Sequence, residues 1–167
     1  MQHRLHTEIR TRRLLLRTPA ESDAAIVRAF GSDEFATDAD ALRFIHWINS
    51  RTDVCVNFYI WLAHTDQMIG RVYFHNKAEL NGELEIGYGI SEPYRNQGYA
   101  TEAAQAAIPF IFKKAGQDVI SAIVKPENLP SRRVIEKLGF THHGIRTVFD
   151  NGADCDFEYF RLWRTSR

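Results

Sequence analysis

Residues 82–114, GELEIGYGISEPYRNQGYATEAAQAAIPFIFKK, constrain the fold more than any other part of the chain. The opening residues alternate. Leu84, Ile86, Tyr88 and Ile90 share one face of a strand, and Glu83, Glu85, Gly87 and Gly89 share the other. A central strand flanked by helices is apolar on both faces, so a Glu, Glu, Gly, Gly face is kept for something other than core. Beyond it, Ala100, Ala103, Ala104, Ala107, Ile108, Ile111 and Phe112 recur at the i, i+3, i+4 spacing of an amphipathic helix running from Gly98 to Lys114. The first half of that stripe is alanine, so the helix can lie close to the sheet beneath it. Pro109 predicts a kink or an early end. DVISAIV follows as a buried strand, and a strand, helix, strand order implies a right-handed crossover with a parallel or nearly parallel pair.

The rest of the chain supplies partners for these elements. RLLLRT, residues 13–18, reads as a first strand ended by Pro19. Asp23 then reads as the N-cap of a helix with Ile26, Ala29 and Phe30 on one face, closed by Gly31. A second helix is predicted from about Asp38 to Ser50, with Ala41, Phe44, Ile45 and Ile48 buried. VCVNFYIWLA and MIGRVYFH, separated by HTDQ, read as a hairpin that continues into the alternating strand as a meander. SRRVIEKLG is a short helix stopped by Gly139, and FTHHGIRTVF and CDFEYFRLW close the chain as a hairpin across DNGAD. The sum is a mixed α/β fold: about seven mostly antiparallel strands, about four helices on both faces, and one parallel junction.

Lys plus Arg and Asp plus Glu are 21 each, so no net field draws in nucleic acid or an anionic membrane. A local basic cluster stands at Arg10, Arg12 and Arg13. The N-terminal apolar run is short and broken by arginines, and no stretch approaches a membrane span, so a cytoplasmic protein is expected. Cys55 and Cys155 stand in no metal-ligand spacing and read as reduced thiols. His142 and His143, adjacent in a strand, point to opposite faces and cannot share an ion, so no metal is expected. Trp47, Phe58, Trp61 and Phe74 read as core or pocket wall. No linker divides residues 1–167, which are expected to form one domain.

The start of the alanine helix is the candidate site. RNQGYA offers backbone amides with little side chain in the way, and a helix N-terminus attracts anions. The segment is neither a P-loop nor a dinucleotide fingerprint, since their glycine and lysine spacings are missing. Gly98 serving only a tight turn is the plain alternative. The glycines before it add a second argument, because glycine inside a strand marks a bulge or a close approach by a ligand. A bulge near Gly89 would end pairing with the next strand and leave a wedge beside the helix start. An extended, amide-containing ligand with an anionic end would fit there, and coenzyme A has that chemistry.

EIGYGISEPYRNQGYATEA resembles the acetyl-CoA-binding segment of the GNAT superfamily of N-acetyltransferases, with Arg95, Gly98 and Ala100 filling its Arg/Gln-x-x-Gly-x-Gly/Ala motif. TRRLLLRTPAESDA is similar to the family's opening strand and NLPSRRVIEKLGF to its second signature, with the RimJ/RimL-like branch the nearest likeness. The resemblance implies a GNAT fold with an acetyl-CoA wedge between the fourth and fifth of the seven strands. It implies that amides of Gln97, Gly98, Tyr99 and Ala100, with the Thr101 hydroxyl, bind the pyrophosphate while Arg95 frames the loop. Ile90 and Ser91 would pair with pantetheine through their backbone. Asn128 would hold the cofactor near the thioester and Ser131 would protonate the leaving thiolate. Their plain reading is an N-cap and a first-turn residue. Two positions depart from the family: Ile135 stands where many members carry an acidic tyrosine, and Gly89 where branch members often carry tryptophan.

The implied reaction is direct attack of a primary amine on acetyl-CoA in a ternary complex, with a protein or peptide N-terminal amine the first acceptor to consider. An α-amine loses about 1 kcal/mol to deprotonation at neutral pH and a lysine about 4 to 5, so a terminal amine needs only a modest base. Glu85 is the candidate base, Glu83 shares its face, and Asp156 and Glu158 are later candidates. A polyamine or antibiotic acceptor is a second reading, and a non-catalytic acyl-CoA sensor or interaction module a third. A monomer and a homodimer both fit the sequence.

Overall fold

The computed structural model describes residues 7–31, 33–51 and 55–165. Its elements follow in the order β1 (Glu8–Arg10), β2 (Leu14–Arg17), α1 (Ala24–Phe30), α2 (Asp38–Ser50), β3 (Cys55–Leu62), β4 (Met68–Lys77), β5 (Glu83–Ile90), α3 (Tyr99–Ala115), β6 (Val119–Val124), α4 (Leu129–Lys137), β7 (Thr141–Asp150) and β8 (Ala153–Trp163). One open sheet runs β1-β2-β3-β4-β5-β6-β8-β7, antiparallel at every junction except β5–β6. The mixed α/β expectation holds, with eight strands where the alternation had given seven. The added strand, Glu8–Arg10, pairs with β2 over three residues, too short a run for periodicity to register. Val54, expected to open β3, lies outside the described residues.

Both faces of the sheet are covered because β3 is apolar on both. Val56, Phe58 and Ile60 join Ala103, Ala104, Ala107 and Ile111 of α3 in the larger core, and Tyr59 and Trp61 join Val27, Ala41 and Ile45 in the smaller one under α1 and α2. The three alanines are fully buried, so α3 sits close to the strands as its thin stripe demands. It also runs through Pro109 to Ala115, which overturns the early end allowed for there. Ile108, Ile111 and Phe112 are buried around the proline, and that packing outweighs the one backbone hydrogen bond it removes.

Helix α1 is rotated from its expected phase. Asp23 turns inward, takes a bidentate bond from Arg17 at 2.5 and 2.9 Å and accepts the Ala20 amide, and its side chain does not cap α1. The helix therefore buries Val27, with Ala24 and Phe30 beside it, and leaves Ile26 and Ala29 exposed. Helix α2 starts as its sequence dictates, in a reciprocal box between Thr37 and Asp40. Helix α4 ends as expected at Gly139, whose φ of +87° lets Phe140 and Gly139 donate to the Ile135 and Glu136 carbonyls. Asn151 and Gly152, with φ of 50° and 87°, make the tight turn of the last hairpin.

Candidate active site where two strands part

Strands β5 and β6 pair only at Leu84–Ile120 and Glu85–Ser121, although β5 runs on to Ile90 and β6 to Val124. The bulge expected near Gly89 is not the cause. Strand β5 keeps an unbroken register with β4 from Lys77–Glu83 to Gly70–Ile90. Strand β6 instead stays with β8 along its whole length, from Val119–Trp163 to Val124–Glu158, and is carried away from β5. Glycine is needed for the β4–β5 contact itself. A Cβ on Gly87 would meet the Tyr73 ring, and one on Gly70 the Gly89 carbonyl.

The ladder decides which backbone groups face the gap. The Ser91 amide donates to Ile69 O at 2.8 Å, so Ser91 is bound to the β4 side and its amide does not reach the wedge, contrary to expectation. Alternation turns the even-numbered backbone groups of β5 toward β6; the Glu85–Ser121 rung takes up the Ile86 N–H, and the Ile86 C=O, both groups of Tyr88 and the Ile90 N–H are left at the gap. Arg95 folds back to donate from Nε to Ile90 O at 2.9 Å, tying the loop to the strand end.

Past a short 3-10 turn at Glu92–Tyr94, the chain enters α3 through Asn96 at φ 59° and Gly98 at φ 80°. Gly98 is the N-cap and brings no side chain to the first-turn amides, so those of Tyr99, Ala100 and Thr101 are available to an anion. The Gln97 side chain donates to Pro93 O at 3.1 Å. A brace from the β1–β2 turn holds the loop. Arg13 donates from Nη1 to Gln97 O at 3.0 Å and from Nε to Glu102 Oε2 at 2.6 Å, and lies 4.4 Å from the Tyr99 ring centroid. Thr11 completes it, donating to Glu102 Oε1 at 2.6 Å. Burial pushes the Glu102 carboxyl up, but the bonds from Thr11 and Arg13 outweigh it and leave it below the usual range. Arg13 and Glu102 were not among the expected site residues. The only sequence signals were a basic cluster and a carboxylate in a first helical turn.

Asn128 is the N-cap of α4, its Oδ1 accepting the Ser131 amide at 3.2 Å, and Ser131 lies in the first turn. The plain reading of both therefore holds, and the cap engages the Ser131 amide and not its hydroxyl. That hydroxyl stands 2.9 Å from the hydroxyl of Tyr88, which projects from the unpaired part of β5. Ile135 is buried in the core and offers no polar atom.

On the opposite face Glu83 and Glu85 have different partners. Glu83 takes bonds from Ser121, Tyr159 and Arg161; burial raises its carboxyl, and these three bonds more than reverse that. Glu85, more deeply buried than Glu83, lies 3.3 Å from both His75 Nε2 and Lys77 Nζ. His75 in turn lines a cavity of about 450 Å³ together with Phe44, Trp47, Asn57, Arg71 and Tyr73. Asp156 is bonded to Thr147 at 2.7 Å and Glu158 to Arg132 at 2.8 Å, both away from that cavity. His142 packs on Phe160 and His143 on Tyr159 across a register shift in β7. Among the described residues no helix is long and apolar enough to cross a membrane.

Comparison with known proteins bears on the same residues. The family model of an acetyltransferase (GNAT) domain matches residues 13–141. The chain is 34% identical over 164 residues to the uncharacterised N-acetyltransferase YnaD of Bacillus subtilis (strain 168), covering 91% of this chain and 94% of that one. A GNAT-family acetyltransferase from Bacillus anthracis superposes with a TM-score of 0.75 at 29% identity, over 94% of this chain and 98% of the other. RimL, a ribosomal α-N-protein acetyltransferase solved with coenzyme A, gives 0.75 at 16% identity over 94% and 98%, a likeness of fold alone.

Proposed function

The chain belongs to the GNAT family of N-acetyltransferases, and we propose that it transfers the acetyl group of acetyl-CoA to a primary amine, a protein or peptide N-terminus first among them. The observation that carries the reading is the parting of β5 and β6 beside the uncapped start of α3. In this reading the pyrophosphate rests on the amides from Gln97 to Ala100 with Thr101 beside them, and pantetheine lies against the backbone of Ile90, Tyr88 and Ile86. Asn128 and Ser131 flank the thioester. The acceptor enters over the Gly87 and Gly89 face, where the cavity behind His75 has room for a side chain of a peptide.

Glu85 takes the proton of the attacking amine, directly or through water. Glu83 is the weaker candidate because its oxygens are committed to Ser121, Tyr159 and Arg161. The amine nitrogen bonds to the acetyl carbon, and the electrons of the broken C–S bond go to sulfur. Holding amine and thioester together supplies much of the acceleration, so few acid and base groups are demanded. The whole of residues 1–167 acts as one catalytic domain in the cytoplasm, with no metal.

Calorimetric titration with acetyl-CoA tests the reading beside Gly98→Val. That variant adds bulk at a left-handed position where the new Cβ would stand 3.5 Å from Arg13 Nη2. Micromolar binding by the wild type, lost in a variant that still melts cooperatively, is expected. Thiol release should then favour N-terminal peptides over spermidine and aminoglycosides. A folded wild type that does not bind acetyl-CoA overturns the assignment.

A further inference from the structure

We infer that Tyr88 is a positioning residue for Ser131, turning the serine proton toward the thioester sulfur; the inference rests on the acetyltransferase reading above. Tyr88 lies three residues past Glu85, the last residue of β5 paired with β6, and Ser131 lies on the helix that follows β6. Their contact therefore spans the gap. The Tyr88 hydroxyl is 2.9 Å from Ser131 Oγ and 3.0 Å from Ser131 O, two acceptors for a single phenolic proton.

The two choices have opposite consequences. A phenolic proton given to the Ser131 carbonyl leaves Tyr88 Oη to accept from Ser131 Oγ, which points the serine proton away from the substrate. Given to Ser131 Oγ, it fills that oxygen's acceptor side and sends the serine proton outward. Burial, the dominant influence, pushes the phenol up to about 12 although the Ser131 bond works against it, so at neutral pH Tyr88 keeps its proton in either arrangement, and a bound sulfur that accepts the serine hydrogen bond selects the second. It is neither a base nor a ready acid.

As the C–S bond breaks, its electron pair collects on sulfur and Ser131 Oγ–H donates a hydrogen bond to it. The thiolate's proton is the one the amine gave to Glu85, returned through water. No proton is gained or lost by Tyr88 or Ser131 over the cycle. Helix α4 supplies no hydroxyl of its own at Ile135, and the tyrosine of β5 reaches across to the serine.

The test reads the thiol of bound coenzyme A, so it needs no knowledge of the acceptor. Ultraviolet titration of the thiolate in the complex should place its pKa below that of free coenzyme A. Tyr88→Phe should raise it by about one pH unit, the size of one hydrogen bond to a charged group. Tyr88→Phe combined with Ser131→Ala should raise it no further than Ser131→Ala alone, and turnover should fall about tenfold in Tyr88→Phe with the KM for acetyl-CoA unchanged. An unmoved thiol pKa in Tyr88→Phe, or additive shifts in the double variant, overturns the inference. If Tyr88→Phe does not fold, fluorotyrosine at position 88, a stronger donor of the same shape, must lower the thiol pKa, and no change counts against Tyr88. Coenzyme A bound with an unperturbed thiol defeats this inference alone. Failure to bind coenzyme A defeats the acetyltransferase reading and this with it.

Discussion

Glu83 and Glu85 are two residues apart on one face of one strand, and their surroundings give them different work. Glu85→Gln should lower kcat/KM for the amine about 100-fold, the usual scale for losing a general base, with acetyl-CoA affinity unchanged by calorimetry. Glu83→Gln should act on stability instead. Its carboxyl titrates below the ordinary 4.5 in the folded protein, so the stabilisation is complete above that value and is lost as pH falls through the lower folded one. Melting temperature against pH should therefore lose part of its acid limb below about 4.5 in Glu83→Gln; equal activity losses in the two variants would contradict the division. Alternation put both carboxylates on the right face but could not divide them, because the partners of Glu83 come from β6 and β8, 38 and 78 residues on. The same distance hid Arg13, 89 residues from Glu102, and Tyr88, 43 from Ser131. The uncapped start of α3 was legible because its conformation is a matter of local backbone preference.

Elements with a strong period were legible and those governed by contacts were not. Strand β5 and helix α2 stand where their patterns put them, and the last hairpin turns on Asn151 and Gly152. Helix α1 came out rotated because the Arg17–Asp23 pair sets its entry. The parting of β5 from β6 was expected from a bulge, and it arises from the pull of β8 on β6. The β4–β5 register carries its own demand. Gly70→Ala would place a Cβ against the Gly89 carbonyl, an atom of a paired strand that cannot rotate aside. Chemical denaturation should show a loss of about 1–3 kcal/mol, the scale of forced overpacking, and a variant as stable as the wild type would mean the strands are looser than their register implies.

Across the whole molecule the sheet is one surface joined in its middle by two rungs, Leu84–Ile120 and Glu85–Ser121, with α3 and its alanine face laid over the strands. Five strands lie to one side of that seam and three to the other. The amides of Tyr88 and Ile90 line the open side, where water is the default partner. In a deuterium-exchange experiment the Tyr88 and Ile90 amides should exchange early while that of Ile86, bonded to β6, and the alternate amides of β5, bonded to β4, exchange late. Saturating coenzyme A should slow the early set and leave the late set nearly unchanged; uniform protection along β5 would contradict the ladder. On the proposed reading a bound thioester would serve as the missing strand of a sheet otherwise interrupted at its centre, and each turnover would remove that strand and replace it.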